Sequence, residues 1–172
     1  MCKFINISQN FLLTLRYMPD VKRCYRKFYK YLQDDFSPPF LCDFYSLINE
    51  KSPYFWVITD FYDKFMGFVY LDNFTGNGKS LYCAELTTCF DRCAWGSFTK
   101  YSAKIFLKKC FNELGLYKIK AQIYPENHRV RTLLKNSGFV YESTLKNETL
   151  RCGKPQDIEV YSLYRDYYYK TR

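Results

Sequence analysis

The chain contains 172 residues, in which Lys and Arg exceed Asp and Glu by 26 to 17, giving a formal net charge of +9. This length predicts a single domain, residues 1–172, with a substantial core. A basic chain suits an anionic partner such as nucleic acid or acidic lipid, and it also suits simple solubility. No apolar run is long enough to form a membrane-spanning helix.

The cysteines indicate the cellular compartment. The chain has eight of them without a C-x-x-C pair, and Cys24 and Cys110 fall on apolar stripes, where a free thiol acts as a small hydrophobic side chain. The first residues lack an apolar segment followed by a cleavage site. We therefore expect reduced thiols and a cytoplasmic protein. A zinc site built from Cys89, Cys93 and His128 would lack a fourth ligand and the usual spacing, so no metal is expected.

The first fifty residues predict a strand followed by helices. Residues 11–17 form an apolar run that predicts a strand, and Pro19-Asp20 predicts the start of a helix. That helix has an apolar face and a basic face, which is typical of core packing and also of a helix that lies on a membrane or nucleic acid. After a break at Ser37-Pro38-Pro39, a second, short helix is predicted around residues 41–49. The apolar face of the first helix comprises Val21, Cys24, Tyr25, Phe28, Tyr31 and Leu32.

The middle of the chain predicts a hairpin and a central strand. Residues 55–61 and residues 65–71 are rich in apolar side chains and predict two strands. A tight turn at residues 62–64 joins them. Residues 72–80, with their Gly-Asn-Gly, predict a mobile turn. Residues 81–90 carry apolar side chains on both faces, which is typical of a strand buried on two sides.

The next segment predicts helix, strand and helix. An apolar stripe from Ala103 to Leu114 is closed by Gly115, and residues 119–123 then alternate apolar and polar. Asn127 is placed to cap a second helix that Gly138 ends. Strand, helix and strand in this order predict a right-handed βαβ unit with parallel strands. A further strand from 139 to about 150 should pair antiparallel with residues 157–163.

The turn between strand 81–90 and the following helix is a candidate anion site. A helix N-terminus offers free N–H groups and a partial positive charge. Here Arg92 and Lys100 add charge, Ser97 and Thr99 add hydroxyls, and Gly96 allows close backbone approach. From these residues alone, an ordinary strand-to-helix turn is the preferred interpretation.

An ordered set of motif residues runs from this region to the end of the chain. It comprises Phe111, Leu114-Gly115-Leu116, Lys118-Ile119, Ala121, Asn127, Leu133-Leu134, Gly138-Phe139, Gly153, Asp157 and Tyr161-Ser162-Leu163. In this order and spacing, over about residues 80–165, the chain resembles GNAT-superfamily N-acetyltransferases. The closest resemblance is to the branch that includes the ribosomal-protein N-terminal acetyltransferases.

The resemblance implies a fold and an activity. The fold is a three-layer α/β (α+β) structure with a mixed central sheet of about six to seven strands, helices on both faces and a βαβ acyl-CoA-binding core. The activity is transfer of an acetyl group from acetyl-CoA to a primary amine, with a protein or peptide N-terminal α-amine as the expected acceptor. CoA phosphates would then be the anions that the basic chain binds.

The resemblance also implies roles for individual residues. Glu85 lies where the family often places a general base acting through water; the alternative is a structural carboxylate paired with a Lys or Arg. A backbone N–H near Leu86 to Thr88 would stabilise the oxyanion. Asn127 would contact the pantetheine arm in addition to capping a helix. The residues expected to bind the cofactor are Leu86, Thr87, Thr88, Arg92, Trp95, Gly96, Ser97, Phe98, Thr99 and Asn127.

The chain departs from the family pattern at two places. In the phosphate loop, Trp95 or Phe98 falls on a small-residue position, according to the register, and a bulky indole there is expected to keep a pyrophosphate from the helix N-terminus. Leu134 replaces a tyrosine that protonates the leaving thiolate in many members. These departures leave open a GNAT-fold binding module without catalysis, with nucleic acid or a ribosome as its partner. A small-molecule amine acetyltransferase is a further alternative, although a polyamine fits poorly with a +9 chain.

Overall fold

The computed structural model describes residues 1–37, 44–77 and 80–170. The strands are β1 Lys3–Asn6, β2 Phe55–Thr59, β3 Phe65–Asn77, β4 Ser80–Phe90, β5 Lys118–Ile123, β6 Val140–Arg151 and β7 Lys154–Tyr164. The helices are α1 Phe11–Phe28, α2 Phe44–Glu50, α3 Ser97–Asn112, α4 His128–Asn136 and α5 Arg165–Lys170, with short 3-10 segments at Tyr29–Tyr31 and Arg92–Ala94. None of the helices in these ranges has the length and apolar character needed to cross a bilayer.

The strands form one mixed sheet in the order β1-β2-β3-β4-β5-β7-β6. Within the described residues, β4 and β5 are the parallel pair, and every other neighbouring pair is antiparallel. Helix α3 connects β4 to β5, so the predicted βαβ unit is confirmed. The predicted pairing of 139–150 with 157–163 is confirmed as β6 and β7.

Two hydrophobic clusters cover the two faces of the sheet. One contains Phe106 and Leu107 of α3 with Ala84 of β4, and the other contains Val21 of α1 with Cys89 of β4. Side chains alternate between the faces along a strand. The odd-numbered residues of β4 from Glu85 to Cys89 therefore face the α1 layer, and the even-numbered ones face the α3 layer.

The first predicted strand is wrong, because residues 11–17 belong to helix α1. Asn10 accepts a hydrogen bond from the Leu13 N–H at 3.1 Å and begins the helix, and Pro19 lies inside it instead of opening it. The true first strand is Lys3–Asn6. A short apolar run cannot by itself distinguish a strand from a helix. Here Phe11, Leu12 and Leu15 are exposed while Thr14 and Tyr17 are buried, which is the spacing of a helix with one face on the core.

The predicted turn at 72–80 is also wrong for most of its length. β3 continues to Asn77 and β4 begins at Ser80, while Gly78 and Lys79 lie outside the described residues. The β3–β4 register shifts between Asp72 and Thr75, and Asn73 there has a φ of 47°. Asparagine tolerates this left-handed conformation better than most residues. The segment is therefore a bulged hairpin arm, and the bulge directs Asn73 towards Glu85.

The remaining elements lie close to their predicted positions. Gly115 and Gly138 have φ values of 69° and 92° and follow α3 and α4, as the sequence predicts. Helix α3 begins at Ser97, which is six residues before Ala103, where the predicted apolar stripe starts. The C-terminal tyrosines, which carried no prediction, form α5, and Tyr168 is buried against Phe111. Of the predicted helix at 41–49, residues 41–43 lie outside the described ranges, and α2 covers the rest.

Candidate active site

The parallel strands β4 and β5 separate in the middle of the sheet. Their ladder contains Cys83–Lys118, Ala84–Ile119 and Glu85–Lys120, and it stops there. Beyond it, β4 pairs only with β3, as far as Phe90, and β5 pairs only with β7, as far as Ile123. The edges of β4 and β5 that face each other beyond Glu85 therefore leave backbone groups free for a ligand.

A cavity of about 1260 Å³ lies at this separation. Basic residues line it beside the N-termini of α3 and α4, and acidic residues line it beside β6. Eight of the predicted site residues line it together with Glu85: Leu86, Thr87, Thr88, Arg92, Trp95, Gly96, Thr99 and Asn127. Ser97 and Phe98 are not among the described lining residues; Ser97 is exposed, and Phe98 packs on the α3-side cluster.

Glu85 lies where the two strands separate, on the face towards α1. Its Oε2 accepts a hydrogen bond from Gln122 Nε2 at 3.0 Å and from Asn73 Nδ2 at 3.3 Å. In the described part of the chain, no Lys or Arg nitrogen lies within 4.0 Å of the carboxylate. Burial raises the pKa of Glu85 above its ordinary value, while the Asn73 hydrogen bond opposes that shift. The structure therefore does not support the alternative of a carboxylate held in an ion pair.

Helix α3 starts from a loop whose backbone is turned by Gly96. Gly96 has a φ of 105°, in the left-handed region that favours glycine. It occupies the N-cap position of α3, and because it has no side chain, no side-chain hydrogen bond caps the helix. The Thr99 hydroxyl is buried and donates to the Ala94 carbonyl at 2.6 Å, so it fixes the loop. An uncapped helix N-terminus with Arg92 and Lys100 beside it can accommodate an anionic group.

Trp95 packs across the mouth of this loop. Its Nε1 donates to the Phe90 carbonyl at 3.3 Å, and its ring lies 5.8 Å from the Phe28 ring between centroids. The Arg129 guanidinium stacks on the indole at 3.6 Å from the ring centroid. The indole is 36% exposed. It therefore joins the C-termini of α1 and β4 to the start of α4 and holds the Arg129 charge at the cavity wall.

Asn127 caps α4, as predicted, by accepting a hydrogen bond from the Val130 N–H at 3.4 Å. The neighbouring His128 contacts Arg131 through Nδ1 at 3.0 Å, on the exposed side of the helix. Leu134, at the position of the family's tyrosine, is 5% exposed and belongs to the α3-side core. This position therefore supplies no proton to a leaving group.

Replacement of Asn127 by alanine is expected to lower the free energy of unfolding by about 1 kcal/mol, the usual value of one N-cap. The matched control is Asn10→Ala, which removes the equivalent cap of α1 outside the cavity lining. Both variants are measured by urea unfolding and by initial rates. If both variants lose the same stability and only Asn127→Ala loses activity, Asn127 has a second role in the cavity. If both variants keep the same activity, Asn127 acts only as a helix cap.

The segment of residues 30–37 forms one wall of the cavity and is tied to the β6–β7 hairpin. The Asp35 N–H donates to the Leu150 carbonyl at 2.8 Å. The Asp35 carboxylate accepts from the N–H groups of Cys152 and Gly153 at 2.8 and 2.7 Å. Arg151 donates to the Lys30 carbonyl at 2.7 Å. The hairpin tip and the segment are thus joined by several bonds, and they form a continuous wall.

Asp34 and Tyr124 attach the same segment deeper in the cavity. The Thr149 hydroxyl donates to the Asp34 carboxylate at 2.5 Å, and the Tyr124 hydroxyl donates to the Gln33 carbonyl at 3.0 Å. Burial opposes ionisation of Asp34, but the hydrogen bonds from Thr149 and Ser37 outweigh it and hold the pKa of this carboxyl below its usual range. Glu126 is paired with Arg151. Two of the acidic groups at this wall are therefore already occupied.

The described cysteines considered for a zinc site have other contacts. Among the described residues, no group of three or more His, Cys, Asp or Glu is placed to hold a metal ion. Cys89 is buried with its sulfur 3.6 Å from that of Cys24, and this contact and burial raise its pKa. Cys93 is exposed and contacts the Met66 sulfur at 3.9 Å.

Comparison with known families decides the assignment. The sequence profile described as "Acetyltransferase (GNAT) domain" matches residues 10–140, which is most of the chain. This chain belongs to the GNAT acetyltransferase family. It is therefore an acyltransferase with the α/β fold of that family, as the resemblance predicts. No curated protein sequence matches the chain significantly.

Solved structures of GNAT proteins resemble the whole chain. The spermidine N-acetyltransferase from Vibrio cholerae, in complex with CoA and spermine, gives a TM-score of 0.77 at 20% identity and covers 98% of this chain and 97% of that chain. Mycobacterium smegmatis RimJ, in complex with CoA-disulfide, gives a TM-score of 0.72 at 18% identity and covers 88% of this chain and 79% of that chain. At these identities the likeness shows the fold.

Several residues at the cavity were not identified from the sequence. From the sequence, Gln122 lies on the polar face of a predicted strand, and Asn73 lies in a predicted turn. Arg129 received no role, although it follows the recognised Asn127 by two positions. A parallel pairing of β4 with β5 would have placed Gln122 near Glu85, but the contacts of Asn73 and Arg129 depend on a bulge and on ring packing that the sequence does not specify.

Proposed function

We propose that this GNAT protein transfers the acetyl group of acetyl-CoA to a primary amine, and that the acceptor is the α-amine of a protein or peptide N-terminus. The observation that carries the proposal is the separation of β4 and β5 directly after Glu85. It provides one cavity that both substrates can enter, with the Glu85 carboxylate in its lining and free backbone groups beside it. Positioning of the two reactants supplies much of the rate in such a reaction.

The cofactor side is the wall formed by the starts of α3 and α4. Arg92, Lys100 and Arg129 would hold the phosphates, together with the N–H groups that follow Gly96. The thioester carbonyl would lie beside the unpaired backbone of Leu86 to Thr88, where an N–H can stabilise the oxyanion. We propose a cofactor role for Asn127 and Trp95 at this wall as well, since both line it.

The reaction needs one base. The acceptor ammonium loses a proton to the Glu85 carboxylate, and the neutral nitrogen attacks the thioester carbonyl carbon. A carbon–nitrogen bond forms, the carbon–sulfur bond breaks, and the second proton of the nitrogen passes to the leaving thiolate. Glu85 returns its proton to solvent, so the net products are the amide, CoA and one proton. Glu85 thus acts as a general base whose raised pKa brings it nearer to the working pH.

The choice of acceptor rests on proton affinity and on the state of the acidic residues. An α-amine has a reference pKa near 7.7–8.0 and loses its proton more easily than a lysine amine near 10.4. The resemblance to the N-terminal acetyltransferase branch agrees with this choice. The likeness to a spermidine acetyltransferase and the acidic groups Asp34, Glu126 and Glu148 at the cavity favour a small polyamine as the second candidate. However, Asp34 and Glu126 are engaged with Thr149 and Arg151, which leaves less free negative charge for a polycation.

The acceptor is tested with radiolabelled acetyl-CoA and three acceptors. These are a lysine-free peptide with a free N-terminus, an N-terminally blocked peptide with one lysine, and spermidine. We expect label on the free N-terminus and at most background on the other two. Label on the blocked peptide or on spermidine would reverse the choice of acceptor. No label on any acceptor, from protein that calorimetry shows to bind CoA, would favour a binding module instead.

We also propose that residues 1–172 form one domain and that the protein works in the cytoplasm with reduced thiols. The sheet already includes strands from Lys3 to Tyr164. The seven cysteines in the described ranges are free, including the adjacent Cys24 and Cys89. Thiol titration of denatured, unreduced protein is expected to find essentially all eight thiols free. Recovery of disulfide-linked peptides would contradict this location.

A further inference from the structure

The Glu85 carboxylate is held from both neighbouring strands by neutral amides. Asn73 on β3 and Gln122 on β5 both donate to the same oxygen, Oε2, at 3.3 and 3.0 Å. In the described ranges 1–37, 44–77 and 80–170, no protein group donates a hydrogen bond to Oε1. Glu85 itself lines the cavity. The two carboxylate oxygens are therefore in different environments, one held and one available.

We infer that Asn73 and Gln122 are positioning residues that hold Oε2 of Glu85 and so make Oε1 the oxygen that receives the acceptor's proton. This inference rests on the proposed role of Glu85 as the base. It adds two residues to the reaction that neither the phosphate loop nor the family resemblance includes. Neither amide touches the reacting atoms; both act through Glu85.

The chemistry of the donors fits this role. A Lys or Arg in their place would stabilise the carboxylate so strongly that its proton affinity would fall. An amide donor fixes the orientation of the carboxylate while leaving it basic. The charged groups that act on Glu85 from the surrounding strands are Asp72, which raises its pKa, and Lys120, which lowers it. These two act in opposite directions, whereas the hydrogen bonds from Asn73 and Gln122 both lower the pKa, so the amides orient the carboxylate and also limit the rise that burial causes.

The backbone at Asn73 supports the same conclusion. Asn73 has a φ of 47° within a bulge of β3, between the Asp72–Glu85 and Thr75–Cys83 pairs. Bulges near active sites often redirect a side chain. Without the bulge, regular alternation would place residue 73 on the opposite face of the sheet from residue 72 and Glu85. The bulge is what allows an amide from β3 to reach Oε2.

The test uses Asn73→Gly, which retains the left-handed conformation and removes the donor, and Gln122→Met, which retains the length of the side chain. Asn147→Gly is the matched control, because Asn147 also has a positive φ of 52° but does not line the cavity. The readouts are the pH dependence of kcat/KM with acetyl-CoA and the free-N-terminus peptide, and titration of the Glu85 carboxyl by carbon-13 NMR. The Glu85 resonance is assigned by its absence in Glu85→Gln.

We expect each of the two variants to raise the pKa of Glu85 by about one unit, which is the usual effect of losing one hydrogen bond to a charged group. The acid limb of the pH profile of kcat/KM should move upward by the same amount. The rate should fall roughly tenfold below that limb and less above it, and Asn147→Gly should behave as the wild type. A uniform fall in rate with an unmoved pKa would overturn the inference and make the amides structural. If the protein transfers no acetyl group to any amine, the proposed function fails, and the NMR titration still decides whether the amides set the proton affinity of Glu85.

Discussion

Glu85→Gln is expected to lower kcat by about 100-fold or more, which is the usual contribution of a positioned general base. The affinity for acetyl-CoA should change little, because Glu85 faces the α1 layer, whereas the proposed phosphate contacts lie at the starts of α3 and α4. The measurement is steady-state kinetics with the free-N-terminus peptide, together with calorimetry of CoA binding. Raising the pH should partly restore the rate, because more of the α-amine, with a reference pKa near 8, is then already neutral.

The stability of this variant distinguishes a catalytic carboxylate from a structural one. The folded pKa of Glu85 is raised by burial, so the fold favours the protonated form. Its stabilising contribution is present at low pH and is lost as the pH rises through the folded pKa. A neutral glutamine avoids that loss and can still accept from Asn73 and Gln122. We therefore expect a melting temperature at pH 7 that is equal to or above that of the wild type; a clearly lower one would mark Glu85 as structural.

Trp95→Gly is expected to weaken CoA binding by about fivefold, the upper end of the range for a solvent-exposed cation–π contact. The sequence alone predicts the opposite, since a glycine would restore the small-residue pattern and free the helix N-terminus. The packing of the indole changes that expectation. Its removal takes away the surface on which the Arg129 guanidinium stacks and leaves two consecutive glycines in the loop. Calorimetric titration with CoA gives the affinity.

A double-mutant cycle with Arg129→Ala isolates the contact between the two side chains. If Trp95 acts by holding Arg129, the double variant should bind CoA about as weakly as either single variant. Additive losses would mean that the two residues contact the cofactor independently. Tighter binding by Trp95→Gly would show that the indole shields the helix N-terminus and would return the explanation to the sequence pattern.

The βαβ unit and its flanking strands were predictable because their signals are local and agree with one another. The alternation of Ile119, Ala121 and Ile123, the cap at Asn127 and the glycines after each helix all specify the same elements. The N-terminal region was not predictable in this way, because Phe11, Leu12 and Leu15 are apolar but exposed. Its helix is established by the Asn10 cap and by contacts of Val21 and Cys24 with the sheet.

The site was predictable to a smaller extent than the fold. Glu85 and the loop at Arg92 follow from their position relative to β4, which the sequence indicates. The partners of Glu85 depend on two other strands, one of them bulged, and no local pattern specifies that bulge. The role of Trp95 likewise depends on Phe28 and Arg129, which lie 67 residues before it and 34 residues after it in the sequence. Non-local contacts of this kind decide the chemistry of the cavity.

The two walls of the cavity are completed at different stages of synthesis. The cofactor wall is built from residues between Glu85 and Arg129, a nearly contiguous stretch. The proposed acceptor wall, which is formed by residues 30–37 and the β6–β7 hairpin, joins Asp34 to Thr149, 115 residues further along the chain, and Asp35 to Cys152 and Gly153. A chain emerging from the ribosome therefore presents residues 30–37 long before the hairpin that binds them exists. The acceptor wall is complete only when β6 and β7 have been made, and a chain that stops before residue 149 lacks it altogether.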